Sequence, residues 1–484
     1  MMNSIPPFST DPELFWTSSD LQHMARTIES CLAAHSINAN ITAYPSGTVF
    51  TLFGIEIAPG IRVSKVAALI PEISRALCVF GVTMLKNVPG TSHAGILVTN
   101  RVRQALSLAR VLNTRVFDES VSPLSMMLGE DILGNPVSVD LSRMPHLLIA
   151  GTVCSGKSVL IHAMMISLLY KSTPADVRLL MVDTQQLELT SYDDIPHLLS
   201  PVITDVQDAA NALNWLVAEM ERRYKLLRAL GVRNLAGYND RITEAKLIGR
   251  IIPDPFWQPG FSGTETQPPL CEMPNLIVCI DDYSDLLLWR GAVEEKLITI
   301  SKQGHAVGIH LILATRNTLP GVITSRMKAN IPARIALSVS AKSDSRLILD
   351  SEGAEALYGA GDMLFARPDA VGLTRVQAPY VTEKDISDVV ESLKMSGKTD
   401  YIEGITGEVY DTEISAVQEL DVLFDQAVSF VLERRRASIS GVQRQFRIGY
   451  NRAALLITQM ENLGIVSAPD SNGSRLVLAP SPRG

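Results

Sequence analysis

The stretch Gly151-Thr-Val-Cys-Ser-Gly156-Lys157-Ser158 reads G-x-x-x-x-G-K-S. Residues of those types at that spacing bind phosphate: successive backbone N–H groups of a glycine-bounded loop turn inward onto phosphate oxygens. Thr152, Val153, Cys154 and Ser155 supply the cradle, between Gly151 and Gly156. Lys157 is expected to reach the β- and γ-phosphates, and the Ser158 hydroxyl to ligand Mg²⁺. A second acidic signal lies downstream, where the apolar run Asn275-Leu-Ile-Val-Cys-Ile280 ends in Asp281 and Asp282. Asp281 is placed to hold Mg²⁺ opposite Ser158, and Asp282 to orient or deprotonate an attacking water. Together these residues predict an ATP and Mg²⁺ site, with Lys157 and Asp282 as its catalytic side chains.

The elements around the loop must aim it. Leu147-Leu-Ile149 before it suits a buried strand, and the apolar pattern of 159–170 suits a helix, whose N-terminus adds the positive end of its dipole. Arg178–Asp183, Asn275–Ile280, His310–Thr315 and Ile335–Val339 read as further buried strands separated by helical patterns. That alternation predicts a parallel sheet covered on both faces. Upstream, a helix over 20–35, strands over 37–44 and 49–57, a helix over 63–77 and a strand over 79–88 predict a small α/β domain without catalytic residues.

At 484 residues the chain is too long for one core. Its 46% hydrophobic and 19% charged residues describe an ordinary folded protein. No apolar run is long enough to span a membrane, and the first residues lack the features of a signal peptide, so a cytoplasmic protein without membrane insertion is expected. The five cysteines show no C-x-x-C spacing, which argues for reduced thiols and against zinc. Net charge is −8, but from Arg434 onward eight arginines face only Glu461 and Asp470. That tail carries +6 and leaves −14 for the rest, so nucleic acid is expected to be met mainly at the end of the chain. Helical patterns near 421–436, 439–446 and 450–463, followed by a hairpin signal at Asp470–Arg475, predict a winged helix-turn-helix.

Several stretches resemble the motor of the FtsK/SpoIIIE double-stranded DNA translocases. They are Met144–Gly151, Glu219-Met-Glu-Arg-Arg-Tyr-Lys, Gly231-Val-Arg-Asn-Leu-Ala-Gly-Tyr-Asn239, Gly308–Thr315, Ile331-Pro-Ala-Arg-Ile335 and Gly361-Asp-Met-Leu364. The tail Ala437–Arg452 is similar to the family's γ domain. The resemblance implies an α/β fold: a RecA-like P-loop core over 121–394, a small N-terminal α/β domain over 19–120, a linker over 395–420 and a C-terminal winged helix over 421–480. It further implies a homo-hexameric or mixed ring on duplex DNA, work in chromosome segregation or DNA transfer, and a Xer-type recombinase as partner. An arginine acting on the neighbouring subunit's nucleotide would be Arg334 or Arg346. Arg444, Arg447, Asn451, Arg452 and Arg475 are the expected DNA contacts.

The departures cluster at the nucleotide. Cys154 stands where the family has Gly, and Asp282 where it has the catalytic Glu. Asp183-Thr-Gln185 replaces Asp-Pro-Lys, and Thr315-Arg316-Asn317-Thr318 replaces Thr-Gln-Arg-Pro. In the tail, Leu455 stands where the family often has an Arg that reads guanine, which predicts DNA binding through phosphates more than bases. Two readings follow: a DNA-translocating ATPase, or a ring subunit that binds ATP and DNA with little or no turnover.

Overall fold

The computed structural model describes residues 18–43, 49–58, 60–79, 81–85, 88, 93–100, 106–257, 267–289, 292–370 and 372–407, and short runs between 423 and 477. The chain divides into two compact units, Met1–Glu408 and Val409–Gly484.

The first unit begins with α1 (Ser18–Ala34), β1 (Ala39–Ala43), β2 (Phe50–Ile57), α2 (Val63–Ala68), α3 (Ile70–Leu77), β3 (Val82–Leu85) and β4 (Ala94–Thr99). The strands form an antiparallel sheet in the order β1-β2-β4-β3. Met24, Ile28 and Leu32 of α1 bury against Phe53, Ile55, Ile96 and Val98 of that sheet. Spacing alone predicts one helix over 63–77, but the chain turns at Leu69 (φ −93°, ψ 0°). Pro71 is the reason: it has no N–H to give the preceding turn, and its ring crowds the carbonyl four residues back. The strand expected over 79–88 shortens to β3, and β4, with every residue buried, carries no alternating signal.

The central sheet has nine strands in the order β6-β5-β13-β12-β11-β7-β10-β9-β8. Two short helices, α4 (Leu108–Leu112) and α5 (Arg115–Asp118), precede it, and in chain order its strands are β5 (Ser125–Asp131), β6 (Pro136–Asp140), β7 (His146–Ala150), β8 (Val177–Val182), β9 (Asn275–Ile280), β10 (Ile309–Thr315), β11 (Ala333–Leu337), β12 (Asp362–Ala366) and β13 (Leu373–Gln377). From β11 to β8 all neighbours are parallel, as the alternation of strand and helix requires. The strands read from the sequence form this parallel part, and at the other edge β12, β13, β5 and β6, which carry no such reading, extend it in antiparallel sense. The hairpin pairs β5–β6 and β12–β13 are joined by short connections, which allow only antiparallel pairing; parallel pairing needs a crossover.

Each parallel strand is largely apolar because its alternate residues enter different cores. Leu147 and Ile149 of β7 face α6 (Lys157–Lys171), whereas Leu148 and Ala150 face α7 (Val206–Leu230). Asp205 caps α7, accepting from the N–H groups of Gln207 and Asp208, and Gly231 ends it in the left-handed region (φ 67°). α8 (Leu235–Leu247), α9 (Tyr283–Trp289) and α10 (Ala292–Gln303) follow in the chain. After them come α11 (Ser325–Asn330), α12 (Lys342–Leu349) and α13 (Glu383–Ser396).

The stretch read as a linker from 395 begins as packed chain. Ile402 N–H donates to Leu199 O at 2.8 Å, Thr406 O accepts from Asn211 at 3.2 Å, and Ile405 is buried. Tyr401 and Ile405 give this segment apolar surface that a solvated linker would expose. Among the described residues no helix is long and apolar enough to cross a membrane.

In the second unit, α14 (Ile439–Phe446) packs Val442 into a cluster with Ala427, Val431, Leu456, Ile457, Met460 and Val466. Phe430 meets Phe446 edge-on at 5.9 Å, and Val466 bridges Val477 in antiparallel sense. The helices expected over 421–436 and 450–463 fall mostly outside the described residues, and the hairpin tip at 470–475 falls wholly outside them.

Candidate nucleotide site

The phosphate loop joins the carboxyl end of β7 to α6, at the strand ends where parallel sheets place their ligands. Its backbone is tied to three neighbours. Gly151 N–H donates to Thr315 O at 3.3 Å, Thr152 Oγ1 to Ser338 O at 2.9 Å, and Gly361 N–H to Ser155 O at 2.9 Å. Gly156 has φ 98°, and a Cβ there would lie 2.3 Å from the Gly361 nitrogen. Both conformation and space therefore demand glycine. Cys154 also sits in the left-handed region, at φ 64°. The loop keeps the shape a glycine would take and bears the strain of a Cβ, worth about 1–2 kcal/mol.

Gly156→Ala is expected to destabilise the chain by about 3 kcal/mol, through φ strain and the collision with Gly361. Gly231→Ala, at a positive φ but in open space, is the control and should cost about 1 kcal/mol. Urea denaturation midpoints of the two variants check the difference.

Lys157 and Asp281 are brought together as the motif predicts. The lysine Nζ lies 2.5 Å from Asp281 Oδ1 and 2.8 Å from its carbonyl oxygen, and both residues are buried. Burial pushes the Asp281 carboxyl above its ordinary range, and the adjacent ammonium works against that shift. Asp282 is held firmly. Its Oδ1 accepts from Ser284 Oγ at 2.7 Å and Thr315 Oγ1 at 3.0 Å, and its Oδ2 from Arg316 N–H at 3.4 Å. The Arg316 guanidinium spans the departures from the family pattern. It donates to Gln185 Oε1 and lies 3.7 Å from Asp281 and 3.6 Å from Asp282. The positions that replace the family's lysine and glutamine thus meet each other.

A cavity of 630 Å³ opens over the loop, lined by Thr152, Val153, Cys154, Gly156, Lys157 and Ser158. Tyr358, Pro379, Tyr380, Leu106 and Val49 line it as well. No motif marks those residues, since they lie far from the loop in sequence and only the fold gathers them. Tyr358 also touches the small sheet: its ring is 5.9 Å from Phe50, and its hydroxyl is 3.0 Å from Thr83 Oγ1. Glu188 lines the cavity as well, with hydrogen bonds from His162 and Ser158 holding its carboxyl down to about 2. An acid a few residues beyond a strand end carries no recognisable signal in a sequence.

The donor set fits a phosphate-bound divalent cation. Ser158 and Asp281 offer hard oxygens. Ser155 Oγ, buried in the cradle, has no hydrogen-bond partner. Among the described residues no group of three or more His, Cys, Asp or Glu is arranged to hold a metal by itself.

Arg334 and Arg346 do not line this cavity. Arg334 donates to Ile348 O at 2.9 Å and to Asp350 Oδ2 at 2.7 Å, and the exposed Arg346 pairs with Glu352. Arg444 is exposed on α14, while Arg447, Asn451, Arg452, Leu455 and Arg475 lie outside the described residues.

Family profiles match three successive parts of the chain. The FtsK/SpoIIIE family profile matches residues 107–339, the FtsK alpha domain residues 9–100 and the FtsK gamma domain residues 418–480. The chain is 45% identical over 479 residues to a DNA translocase FtsK of Vibrio parahaemolyticus, covering 97% of this chain and 46% of that protein. It is 46% identical over 470 residues to the DNA translocase FtsK of Shewanella oneidensis, covering 95% of this chain and 52% of that one. The chain thus spans about half the length of these curated relatives. Among solved structures, the pCW3 conjugation coupling protein TcpA with ATPγS superposes with a TM-score of 0.51 at 20% identity, over 78% of this chain and all of that one. The cytoplasmic domain of the Thermomonospora curvata type VII secretion ATPase EccC does so with a TM-score of 0.50 at 22% identity, over 62% of this chain and 36% of that one. At those identities the two structures share the fold. With the motor, alpha and gamma domains matched in order along it, the chain belongs to the FtsK/SpoIIIE family.

Proposed function

We propose that the chain is an ATP-driven motor that moves along double-stranded DNA. The observation that carries this reading is the meeting of Lys157 with Asp281 beside the phosphate loop, with Lys157 and Ser158 lining the cavity over it. ATP would lay its phosphates on the Gly151–Ser158 backbone and its base toward Tyr358 and Tyr380. Lys157 would leave Asp281 for the β- and γ-phosphates. Ser158 and Asp281 would hold Mg²⁺, which when bound neutralises phosphate charge. Asp282 would orient the attacking water, with Thr315 and Ser284 fixing its carboxylate. Arg334 or Arg346 of an adjoining subunit would complete the site in a hexameric or mixed ring. Such a motor serves chromosome segregation or DNA transfer in the cytoplasm, with a Xer-type recombinase as a partner.

Duplex DNA would be met by Arg444, Arg447, Asn451, Arg452 and Arg475 in the γ-like domain, mainly through phosphates. The test is phosphate release with and without linear duplex DNA. DNA is expected to stimulate release. With about six phosphate contacts, the logarithm of DNA affinity should fall with the logarithm of salt at a slope of roughly −5. Equal release with and without DNA excludes the motor.

One observation favours the second reading, a ring subunit that binds ATP and DNA without turnover. The hydrogen bonds to Asp282 Oδ1 come from Ser284 and Thr315 of the same chain, and the Arg316 guanidinium stands beside its other oxygen. A carboxylate so engaged polarises a water less. Wild-type release near zero, unaffected by DNA, would select this reading.

A further inference from the structure

Glu188 is the one carboxylate among the described residues lining the nucleotide cavity, and neither the family motifs nor the proposed roles of Asp281 and Asp282 use it. It is built into place from two directions. The Asp183 carboxylate, fully buried at the end of β8, accepts from Glu188 N–H at 2.8 Å and Leu189 N–H at 2.9 Å, which fixes the turn that carries the side chain. His162 Nε2 lies 3.2 Å from Glu188 Oε2. The other ring nitrogen, Nδ1, lies 3.1 Å from the Tyr192 hydroxyl, and the two rings stack at 5.7 Å. Tyr192 is fully buried, so this support is rigid.

The line continues toward the phosphates. Ser158 and His162 stand four residues apart on α6, on one face of the helix. His162 hydrogen-bonds the Glu188 carboxyl, and Ser158, one turn before it, lines the same cavity as Glu188; with His162 foremost, these neighbours hold the carboxyl below its ordinary range. Lys157 adds a favourable charge from the loop. A Glu–His pair serving only to hold the fold would have no need to point its charge into the cavity that Ser158 lines.

We propose that Glu188 is a positioning residue of the phosphate–metal site, accepting a hydrogen bond from the Ser158 hydroxyl so that the serine oxygen's lone pairs face the metal. The inference rests on the nucleotide reading given above. The physical logic is that a hydroxyl left to rotate can turn its hydrogen toward the cation. A carboxylate behind it fixes the hydrogen and makes the oxygen a stronger donor. His162 and Tyr192 then hold the carboxylate as Glu188 holds the serine.

The test uses the full chain and a fluorescent, slowly hydrolysed ATP analogue, titrated with Mg²⁺ after treatment with EDTA. Glu188→Gln is expected to raise the Mg²⁺ concentration for half-maximal binding by about 10–100-fold. Affinity for the analogue in EDTA, and the melting temperature, should match the wild type. His162→Asn should shift the midpoint in the same direction by a smaller factor. A wild-type Mg²⁺ midpoint in Glu188→Gln overturns the inference. So does an equal loss of affinity with and without metal, which marks a merely structural side chain. If the wild-type chain fails to bind the analogue under either condition, the nucleotide reading falls and takes this one with it. Metal-dependent binding that Glu188→Gln leaves unchanged refutes the positioning role alone.

Discussion

Lys157→Ala is expected to abolish DNA-stimulated phosphate release, lowering turnover by about 10²–10³-fold, the usual cost of deleting one preorganised charge from a transition-state site. The structure adds a second consequence. Lys157 is the hydrogen-bonded partner of Asp281, which is 2% exposed. Removing one member of a buried pair costs about 3–5 kcal/mol, because the other charge stays behind unpaired. That cost depends on pH. Burial already raises the folded-state pKa of Asp281 above its ordinary value, and without the ammonium it rises further. In the variant the folded state therefore binds a proton that the unfolded state has released. Stability is retained below the unfolded carboxylate pKa and lost as pH climbs toward the folded one. Melting temperatures of wild type and Lys157→Ala should thus converge toward acid pH and separate toward neutrality. A gap that is constant with pH would show that Asp281 does not depend on Lys157 for its charge.

Asp282→Asn separates the two functional readings. The amide keeps an oxygen to accept from Ser284 and Thr315, so the fold around it should survive, while the negative charge is lost. In a motor, turnover should fall by about 10²–10⁴-fold with nucleotide affinity little changed. In a non-hydrolysing ring subunit, wild type and Asp282→Asn should release phosphate equally slowly. The double variant Asp282→Glu with Cys154→Gly should then raise turnover, since it extends the carboxylate by one methylene and relieves the left-handed Cβ in the loop. Single-turnover phosphate release, alongside a binding titration for each protein, distinguishes these outcomes.

The phosphate loop, Asp281 and the strands that carry them are legible in the sequence because each rests on local pattern. A glycine-bounded turn between an apolar strand and a helix is encoded within about twenty residues. Parallel strands buried on both faces are continuous apolar runs, and β7, β8, β9 and β10 read as such. The basic tail is visible as charge. The break at Leu69 is signalled by Pro71 but outweighed by helical spacing on both sides. β12 and β13 are not legible. Their pairing depends on partners rather than on a pattern of their own, and β13 is only half-buried along most of its length.

What the sequence alone determined was therefore the chemistry on offer: a phosphate cradle, a lysine, two adjacent acids and a basic end. The tertiary structure decided how those groups are used. It joined Arg316 to Gln185, Asp281 and Asp282, and lined the cavity with Tyr358 and Tyr380. It also bonded Glu188 to His162 in the cavity that Ser158 lines. The physical reason is range. Backbone conformation and hydrophobic periodicity act over a few residues and leave marks in order along the chain. Hydrogen bonds and charge pairs between loops act over a few ångströms, between residues that only the folded sheet brings to the same edge.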